Sequence, residues 1–287
     1  MRTRAWMLVT WLFCVVVPAS AAEGMVFRVS GGGVPSSYLV GTMHIDDPRV
    51  MGLMARINPL IEHVDVVAIE LIPDALTMVA VGAATMLPAD QSLRNIIGED
   101  SFDALRTVAQ QRGLAAPMLD RLKPWAVAIM LSMPEAAGGR SLDTEIYLAG
   151  LARQRELVGL ETAAEQIGLF DELPLARQAL MLEEMIKNAD ELPQQLEELT
   201  RAFLDGDLDR IERLAHEHYS GMPPDLVAWF EKALIGDRNV RMLARSLDLF
   251  RQGRVLVAVG GLHLPGDSGL VAALRREGFG VEPVGSP

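Results

Sequence analysis

The feature that most constrains the fold is a strand–helix–strand pattern between residues 37 and 70. A β-branched run over residues 37–40 precedes a helix that Asp47 can cap, with Pro48 at its first position. The run "DVVAIEL" follows the helix, carries Glu70 at its end and is stopped by Pro73. The helix has an apolar stripe at spacings of three and four residues, formed by Val50, Leu53, Met54, Ile57, Leu60, Ile61 and Val64. Strands joined this closely through a helix are parallel with a right-handed crossover, so the pattern predicts an α/β fold.

Two of the five histidines share a local frame. The sequence Gly-x-x-His occurs as "GTMH" at 41–44 and as "GGLH" at 260–263, each time after a β-branched run. A glycine at this point permits a sharp exit from a strand or a close approach of a ligand to the backbone. The second copy leads into a helix that Asp267 or Ser268 is expected to open. The pattern predicts that His44 and His263 both follow the carboxyl end of a strand.

Strand ends bring these histidines towards two acids. Glu70 ends the strand that we expect to neighbour the strand before His44, and Glu161 ends the short strand in "RELVGLET". In parallel sheets, sites form beyond the carboxyl ends of the strands, so His44, Glu70 and His263 are expected to converge.

Two chemistries are open to such a cluster. Imidazole and carboxylate suit a borderline divalent metal, and two histidines with one glutamate leave positions for water. The alternative is a metal-free cluster in which Glu70 orients a histidine that acts as a general base.

Further residues have structural explanations at hand. Asp143 and Glu145 open a helix, where acids favour the positive end of its dipole. "DRN" at 237–239 is typical of a helix surface, although Arg238 could serve an anion. His216 and His218 lie two positions apart and therefore point in different directions on a helix, which predicts surface residues. The apolar run over residues 76–86 and Trp125 are expected in the core.

Composition limits the class of protein. The chain has 287 residues, a net charge of −12 and one cysteine, Cys14. Residues 1–21 combine Arg2 and Arg4, an apolar stretch and Ala19-Ser20-Ala21, which is typical of a signal peptide cleaved near Ala21. We expect an exported, periplasmic protein with no stable membrane insertion after cleavage and no affinity for nucleic acid.

Residues 22–287 are predicted to form one domain, with a central mixed, largely parallel sheet flanked by helices. The segment 163–250 is predicted to be a helical layer or lid over the sheet's carboxyl edge.

Several stretches together resemble the TraB/PrgY/GumN family and the related Tiki-type metalloproteases, and more distantly the erythromycin-esterase and ChaN-like proteins. These stretches are "YLVGTMH", "VAIEL", "SLDTE", "VGLET", "DRN" and "VAVGGLHLPG". The resemblance implies an α/β fold whose site contains His44, His263 and Glu70. It also implies further polar site positions with less defined roles, at Asp143, Glu145, Glu161, Arg238 and Asn239.

The resemblance implies several activities. Tiki-like members imply divalent-metal-dependent peptide cleavage, TraB and PrgY members control of peptide pheromones, and ChaN-like relatives haem binding. The leading hypothesis is a periplasmic metal-dependent hydrolase of the peptidase type, in which a divalent metal ion is bound by His44 and His263, and Glu70 is a ligand or the base. The alternative is a non-catalytic protein that sequesters a peptide or small molecule in the same cleft. Haem binding is the weakest hypothesis, because the chain has no Cys-x-x-Cys-His.

Overall fold

A computed structural model of the protein describes residues 25–133, 139–219 and 221–285. The predicted signal peptide lies outside the described residues. A six-stranded mixed sheet, largely parallel, forms the centre and is flanked by helices, which confirms the predicted fold class. Its strands are β1 (Val26–Ser30), β2 (Ser37–Thr42), β3 (Val66–Ile69), β4 (Glu156–Gly159), β5 (Val255–Gly260) and β6 (Gly280–Pro283).

The strand order differs in one respect from the sequence prediction. The order is β4-β3-β5-β2-β1-β6, with β4, β3, β5 and β2 parallel and β1 antiparallel to both β2 and β6. Strands β2 and β3 are parallel as predicted, but they are not neighbours, because β5 lies between them. Strand β5 is buried along "VLVAV", and a continuous apolar strand is most stable at the centre of a sheet that is covered on both faces.

The helices occupy the connections between the strands. Helices α1 (Pro48–Met51) and α2 (Met54–Glu62) join β2 to β3. Between β3 and β4 lie α3 (Ala75–Ala84), α4 (Leu93–Ile97), α5 (Glu99–Gln111), α6 (Ala116–Leu119), α7 (Pro124–Ser132) and α8 (Leu142–Ala152). Between β4 and β5 lie α9 (Ala163–Asp171), α10 (Leu175–Lys187), α11 (Leu192–Asp205), α12 (Leu208–Tyr219), α13 (Pro224–Trp229), a π-helix (Phe230–Gly236) and α14 (Asp237–Gln252). A 3₁₀ turn (Gly261–His263) and α15 (Leu270–Arg276) connect β5 to β6.

The first crossover follows the predicted pattern with one interruption. Asp47 caps α1 by accepting a hydrogen bond from the Arg49 N–H at 2.7 Å, and Pro48 is the first helical residue. The predicted single helix is broken at Gly52, a poor helix former, where tight hydrogen bonds between residues three apart replace the regular pattern. The apolar stripe still faces the sheet, because Val50, Ile57, Ile61 and Val64 are fully buried.

Two predictions about helices are wrong. The apolar run 76–86 forms α3, which has no buried residue; the exposed fractions of Leu76 and Val79 are 83% and 70%. An apolar sequence alone therefore does not decide whether the rest of the fold covers a helix. Helix α15 begins after Gly269 and not at Asp267 or Ser268, because the chain first turns through Gly266 at a φ of +75°.

The core consists of two buried clusters. The larger cluster surrounds the sheet, and the second lies among α4, α5, α7 and α10. Trp125 belongs to the second cluster as predicted, with its indole N–H donated to Asp171 at 2.9 Å. Within the described ranges, no helix combines the length and the apolar character that crossing a membrane requires.

Candidate functional site

The carboxyl ends of β2, β3 and β5 place three of the predicted site residues around Gly260. A Cβ atom at Gly260 would lie 3.2 Å from Glu70 Oε1, 3.6 Å from His263 Cδ2 and 4.0 Å from His44 Nε2. The Gly260 N–H donates to Glu70 Oε1 at 2.5 Å. A side chain at this position would occupy the space between the three groups, so glycine is what allows them to approach one another.

His263 is held by a buried amide. Its Nδ1 lies 2.7 Å from Asn239 Oδ1, and Asn239 Nδ2 donates to the Ser268 carbonyl at 2.9 Å. Because the Asn239 amide nitrogen is committed to that carbonyl, its oxygen accepts, and the proton of His263 sits on Nδ1. The Nε2 atom of His263 therefore presents its lone pair towards Glu70 Oε1, 3.9 Å away. Burial lowers the pKa of His263 to about 4, so the ring is neutral at pH 7.

His44 has an acidic outer partner and an open face. Its Nδ1 lies 2.9 Å from Asp143 Oδ1, and 53% of its side chain is exposed. Burial would lower the pKa of His44, but the hydrogen bond and charge of Asp143, together with the charge of Glu70, raise it to about 9. Asp143 thus holds a proton on Nδ1, and Nε2 is the nitrogen that faces the Gly260 edge. Any cation that binds Nε2 must displace the second proton.

Glu70 is ionised and already has partners on both oxygens. Oε1 accepts from Gly260 N–H, and Oε2 accepts from Arg238 at 2.5 Å and from Gln166 at 3.4 Å. Burial would raise the pKa of Glu70, but His263, which is protonated at the low pH where Glu70 titrates, lowers it to about 2 together with the charges of Arg238 and His44 and the Gly260 N–H bond. The carboxylate therefore offers negative charge at any physiological pH.

A buried ionic network supports Glu70 from behind. Arg238 donates to Glu161 Oε2 from Nε at 3.0 Å and from Nη2 at 2.6 Å, while Arg241 donates to Glu161 Oε1 at 2.8 Å. Gln166 adds a bond of 3.1 Å to the same carboxylate, whose side chain has no exposed surface. The predicted position of Glu161 at the end of β4 thus supports Arg238, which in turn binds Glu70.

The sequence prediction missed some members of this network. The residue pattern alone favoured a helix surface for Arg238 and Asn239, whereas the family resemblance implied that both are site positions. In the structure Asn239 is buried and contacts His263, and Arg238 is partly buried and contacts Glu70. Arg241 was not singled out, although its spacing of three from Arg238 places both on one helix face. Gln166 and the Gly260 N–H have no sequence signal beyond their nearness to Glu161 and His263.

The remaining predicted residues lie apart from this cluster. Glu145 pairs with Arg140, at the start of α8. His216 is exposed and lies 3.1 Å from Glu231, whereas His218 is partly buried and contributes to the wall of the cavity above the site. The two histidines therefore do not act as a pair.

That cavity has a volume of about 480 Å³ and opens above the strand ends. Its floor contains His44, Glu70, Arg238, Gly260 and His263, and its walls come from α7, α10, α11 and the π-helix region. Thr42 also lines it, and the Thr42 hydroxyl is a buried polar atom without a hydrogen-bond partner. The volume lies within the range of roughly 300–1000 Å³ that is typical of ligand pockets.

The floor of the cavity has some of the features of a site for a divalent metal ion. The Nδ1 atoms of both imidazoles are engaged by outer partners, and both rings line the floor together with the Glu70 carboxylate. Metal-binding histidines are oriented in the same way. Within the part of the chain that the structure describes, however, no group of three or more His, Cys, Asp or Glu side chains is arranged to hold a metal ion. Donor type fits a metal, and the proton on Nδ1 of His263 leaves its Nε2 atom free. His44 would first have to lose its Nε2 proton, and Glu70 would have to share an oxygen that already accepts a hydrogen bond.

Known proteins show similarity over most of the chain. The sequence profile of the TraB/PrgY/gumN family matches residues 25–283. Metalloprotease TIKI1 of Danio rerio is 27% identical over 88% of this chain and 62% of its own length, and that of Homo sapiens is 24% identical over 88% and 61%. The uncharacterized protein YbaP of Escherichia coli strain K12 is 24% identical over 83% of this chain and 87% of its own length.

The TIKI1 metalloproteases are longer than this chain. The chain spans about three fifths of the length of the TIKI1 metalloproteases, and its similarity to them is distant. No solved structure matches the chain. Because the family profile spans nearly all of the described residues, the chain belongs to the TraB/PrgY/gumN family.

Proposed function

We propose that the protein is an exported, metal-dependent hydrolase of the peptidase type. The observation that carries the proposal is the matched setting of His44 and His263. Each histidine has its Nδ1 engaged by a polar side chain, Asp143 or Asn239, and both line the floor of one cavity together with Glu70. The Nε2 atom of His263 lies 3.9 Å from Glu70 Oε1, and the Nε2 atom of His44 faces Gly260. Distant similarity to metalloproteases supports the same reading.

In this proposal His44, His263 and Glu70 hold the ion. A bound divalent metal would polarise a substrate carbonyl and lower the pKa of a bound water. Glu70 suits the role of ligand better than that of base, since a carboxylate with a pKa of about 2 has little affinity for a proton. Its Oε1 retains a second lone pair beyond the one that accepts the Gly260 N–H.

The other residues of the network have supporting roles in the proposal. Asn239 fixes the tautomer of His263, and Asp143 fixes that of His44. Arg238 holds the Glu70 carboxylate in place through Oε2, and Glu161 orients Arg238. These groups keep the three ligands oriented without themselves facing the bond to be cleaved.

Metal content of the purified protein tests the proposal. We expect about one equivalent of a divalent metal in the wild type, after dialysis against a mixture of Mn²⁺, Co²⁺ and Zn²⁺. His44→Ala and His263→Gln should each lose it, because each removes one of the imidazole ligands. His216→Ala is the matched control, since His216 is exposed and lies outside the site. Equal metal content in all four folded proteins would remove the metal hypothesis.

A second candidate function is sequestration of a peptide or small molecule without catalysis. One observation favours it: the charges at the floor are already paired, with Glu70 on Arg238 and His44 on Asp143. Such a floor needs no metal to be stable. A protein that binds peptides tightly, contains no metal and releases the peptides intact would support this function over hydrolysis.

A further inference from the structure

The cavity above the candidate site has a polar floor and apolar walls. The walls include Met181 and Met185 from α10, Leu196, Leu199 and Phe203 from α11, and Phe230 from the π-helix. A cavity of about 480 Å³ holds a segment of a peptide and not a single water or ion. The side chains of the bound segment would therefore contact mainly apolar surface.

The charged side chains at the floor of the cavity are paired with one another. Among the described residues, Arg238 is the one arginine that lines the cavity, and no lysine does. Its guanidinium donates to Glu70 and Glu161, so it has little capacity to bind a carboxylate of a substrate. On the wall, Glu184 is the acidic residue, and it has Lys187 at 3.6 Å. The other polar wall residues include Asn188, Gln195 and His218, none of which carries a full charge at pH 7. A charged substrate side chain among these walls would lose water without gaining an oppositely charged partner that is not already paired, which is costly.

We infer that the cavity selects an uncharged peptide segment with a large apolar side chain next to the bond at the polar floor. The inference rests on the proposed function for the cleavage step, but the preference also holds for binding alone. Met181, Met185 and Met222 line the cavity, and methionine side chains adapt to different shapes. Selection is therefore for apolar character and not for one particular side chain. The net charge of −12 would instead favour cationic peptides, so the two ideas predict opposite outcomes.

Matched peptides test this preference. The probes are acetyl-Ala-Ala-X-X-Ala-Ala-amide, with X as leucine, methionine, phenylalanine, lysine or glutamate. Cleavage is followed by mass spectrometry and binding by titration calorimetry. We expect the three apolar peptides to bind and react within about tenfold of one another, and the lysine and glutamate peptides to be weaker by at least about a hundredfold. If the lysine peptide binds as tightly and is cleaved as fast as the leucine peptide, or more so, the inference is overturned.

A variant of the wall provides the second test. Met185→Glu places a charge in the wall and should weaken the leucine peptide by at least about tenfold, with a smaller effect on the lysine peptide. Met118→Glu is the matched control, because Met118 is 54% exposed and lies outside the cavity. Circular dichroism checks that both fold, and Met185→Gln replaces the charged variant if it does not. Unchanged peptide preference in the folded wall variant would overturn the inference.

The two measurements separate this inference from the proposed function. Apolar preference in binding with no cleavage supports the inference and contradicts hydrolysis. Cleavage of all five peptides at similar rates supports hydrolysis and contradicts the inference. Absence of both binding and cleavage for every peptide contradicts both.

Discussion

Replacing Glu161 with glutamine probes the network that holds Glu70 in place. Its side chain has no exposed surface and receives hydrogen bonds from Arg238, Arg241 and Gln166. Glutamine preserves the shape and removes the charge. In the variant, Arg238 keeps Glu70 as its charged partner. Arg241, whose side chain is 27% exposed, keeps a contact of 3.8 Å to Glu165.

The magnitude follows from burial. Removing one partner of a buried ion pair costs about 3–5 kcal/mol, because the other charge stays behind without compensation. The amide oxygen of glutamine can still accept one hydrogen bond, so we take the lower end, about 3 kcal/mol. For a chain of this size, 1 kcal/mol corresponds to roughly 2–4 °C in Tm, and the expected loss is roughly 6–12 °C.

Thermal unfolding followed by circular dichroism measures the effect. Glu197→Gln is the matched control, because Glu197 also contacts two arginines, Arg49 and Arg201, but is 34% exposed. Exposed pairs contribute little, so the control should lose under about 4 °C. If both variants lose the same few degrees, the reasoning that the buried network stabilises the site is refuted.

Further predictions concern the same site and the predicted signal peptide. Gly260→Ala should weaken metal or peptide binding at least about tenfold while keeping the fold, because its Cβ would lie 3.2 Å from Glu70 Oε1. Gly82→Ala, with open space around it, is the control, and equal binding by both variants would contradict the proposed role of Gly260. In metal-free protein, burial lowers the pKa of His263 from its ordinary 6.5 to about 4, so the unfolded chain takes up the proton first. The free energy of unfolding should therefore fall by up to about 3 kcal/mol as the pH drops from 6.5 to 4. In urea titrations, the free energy of unfolding of His263→Asn should depend less on pH over this range. The pKa of His44 is raised to about 9, so its contribution is present below pH 6.5 and is lost as the pH rises through 9. Exported protein should begin near Ala22 by N-terminal sequencing, and an intact Met1 in the membrane fraction would contradict the predicted cleavage.

Local pattern was sufficient to predict which residues follow strand ends. The Gly-x-x-His frames, the acid after "VVAI" and the acid after "VGL" each follow from a short apolar run that stops at a polar residue. The structure places His44, Glu70 and His263 around Gly260, and Glu161 one strand further along. Parallel strands share one carboxyl edge, so their order did not need to be known for the ends to meet.

Contacts between distant helices could not be predicted in this way. The strand that separates β2 from β3 is β5, which follows them by nearly two hundred residues, and only the packed sheet decides its place. The Asn239–His263 contact and the Asp143–His44 contact join residues that lie 24 and 99 positions apart. Asn239 and Arg238 are polar residues, so hydrophobic patterning does not predict that they point into the protein. Their charged or polar partners stabilise them there. The exposure of α3 is the converse case, in which an apolar sequence finds no cover among the described residues.

The most direct test of the proposed metal site is a crystal grown with a divalent metal and measured at that metal's absorption edge. We predict one anomalous peak at the cavity floor, about 2.0–2.2 Å from His44 Nε2, His263 Nε2 and a Glu70 oxygen. The same crystal of His44→Ala should lose that peak. A peak elsewhere, for example between His216 and Glu231, or peptide cleavage that continues without any metal at the floor, would contradict the proposed site.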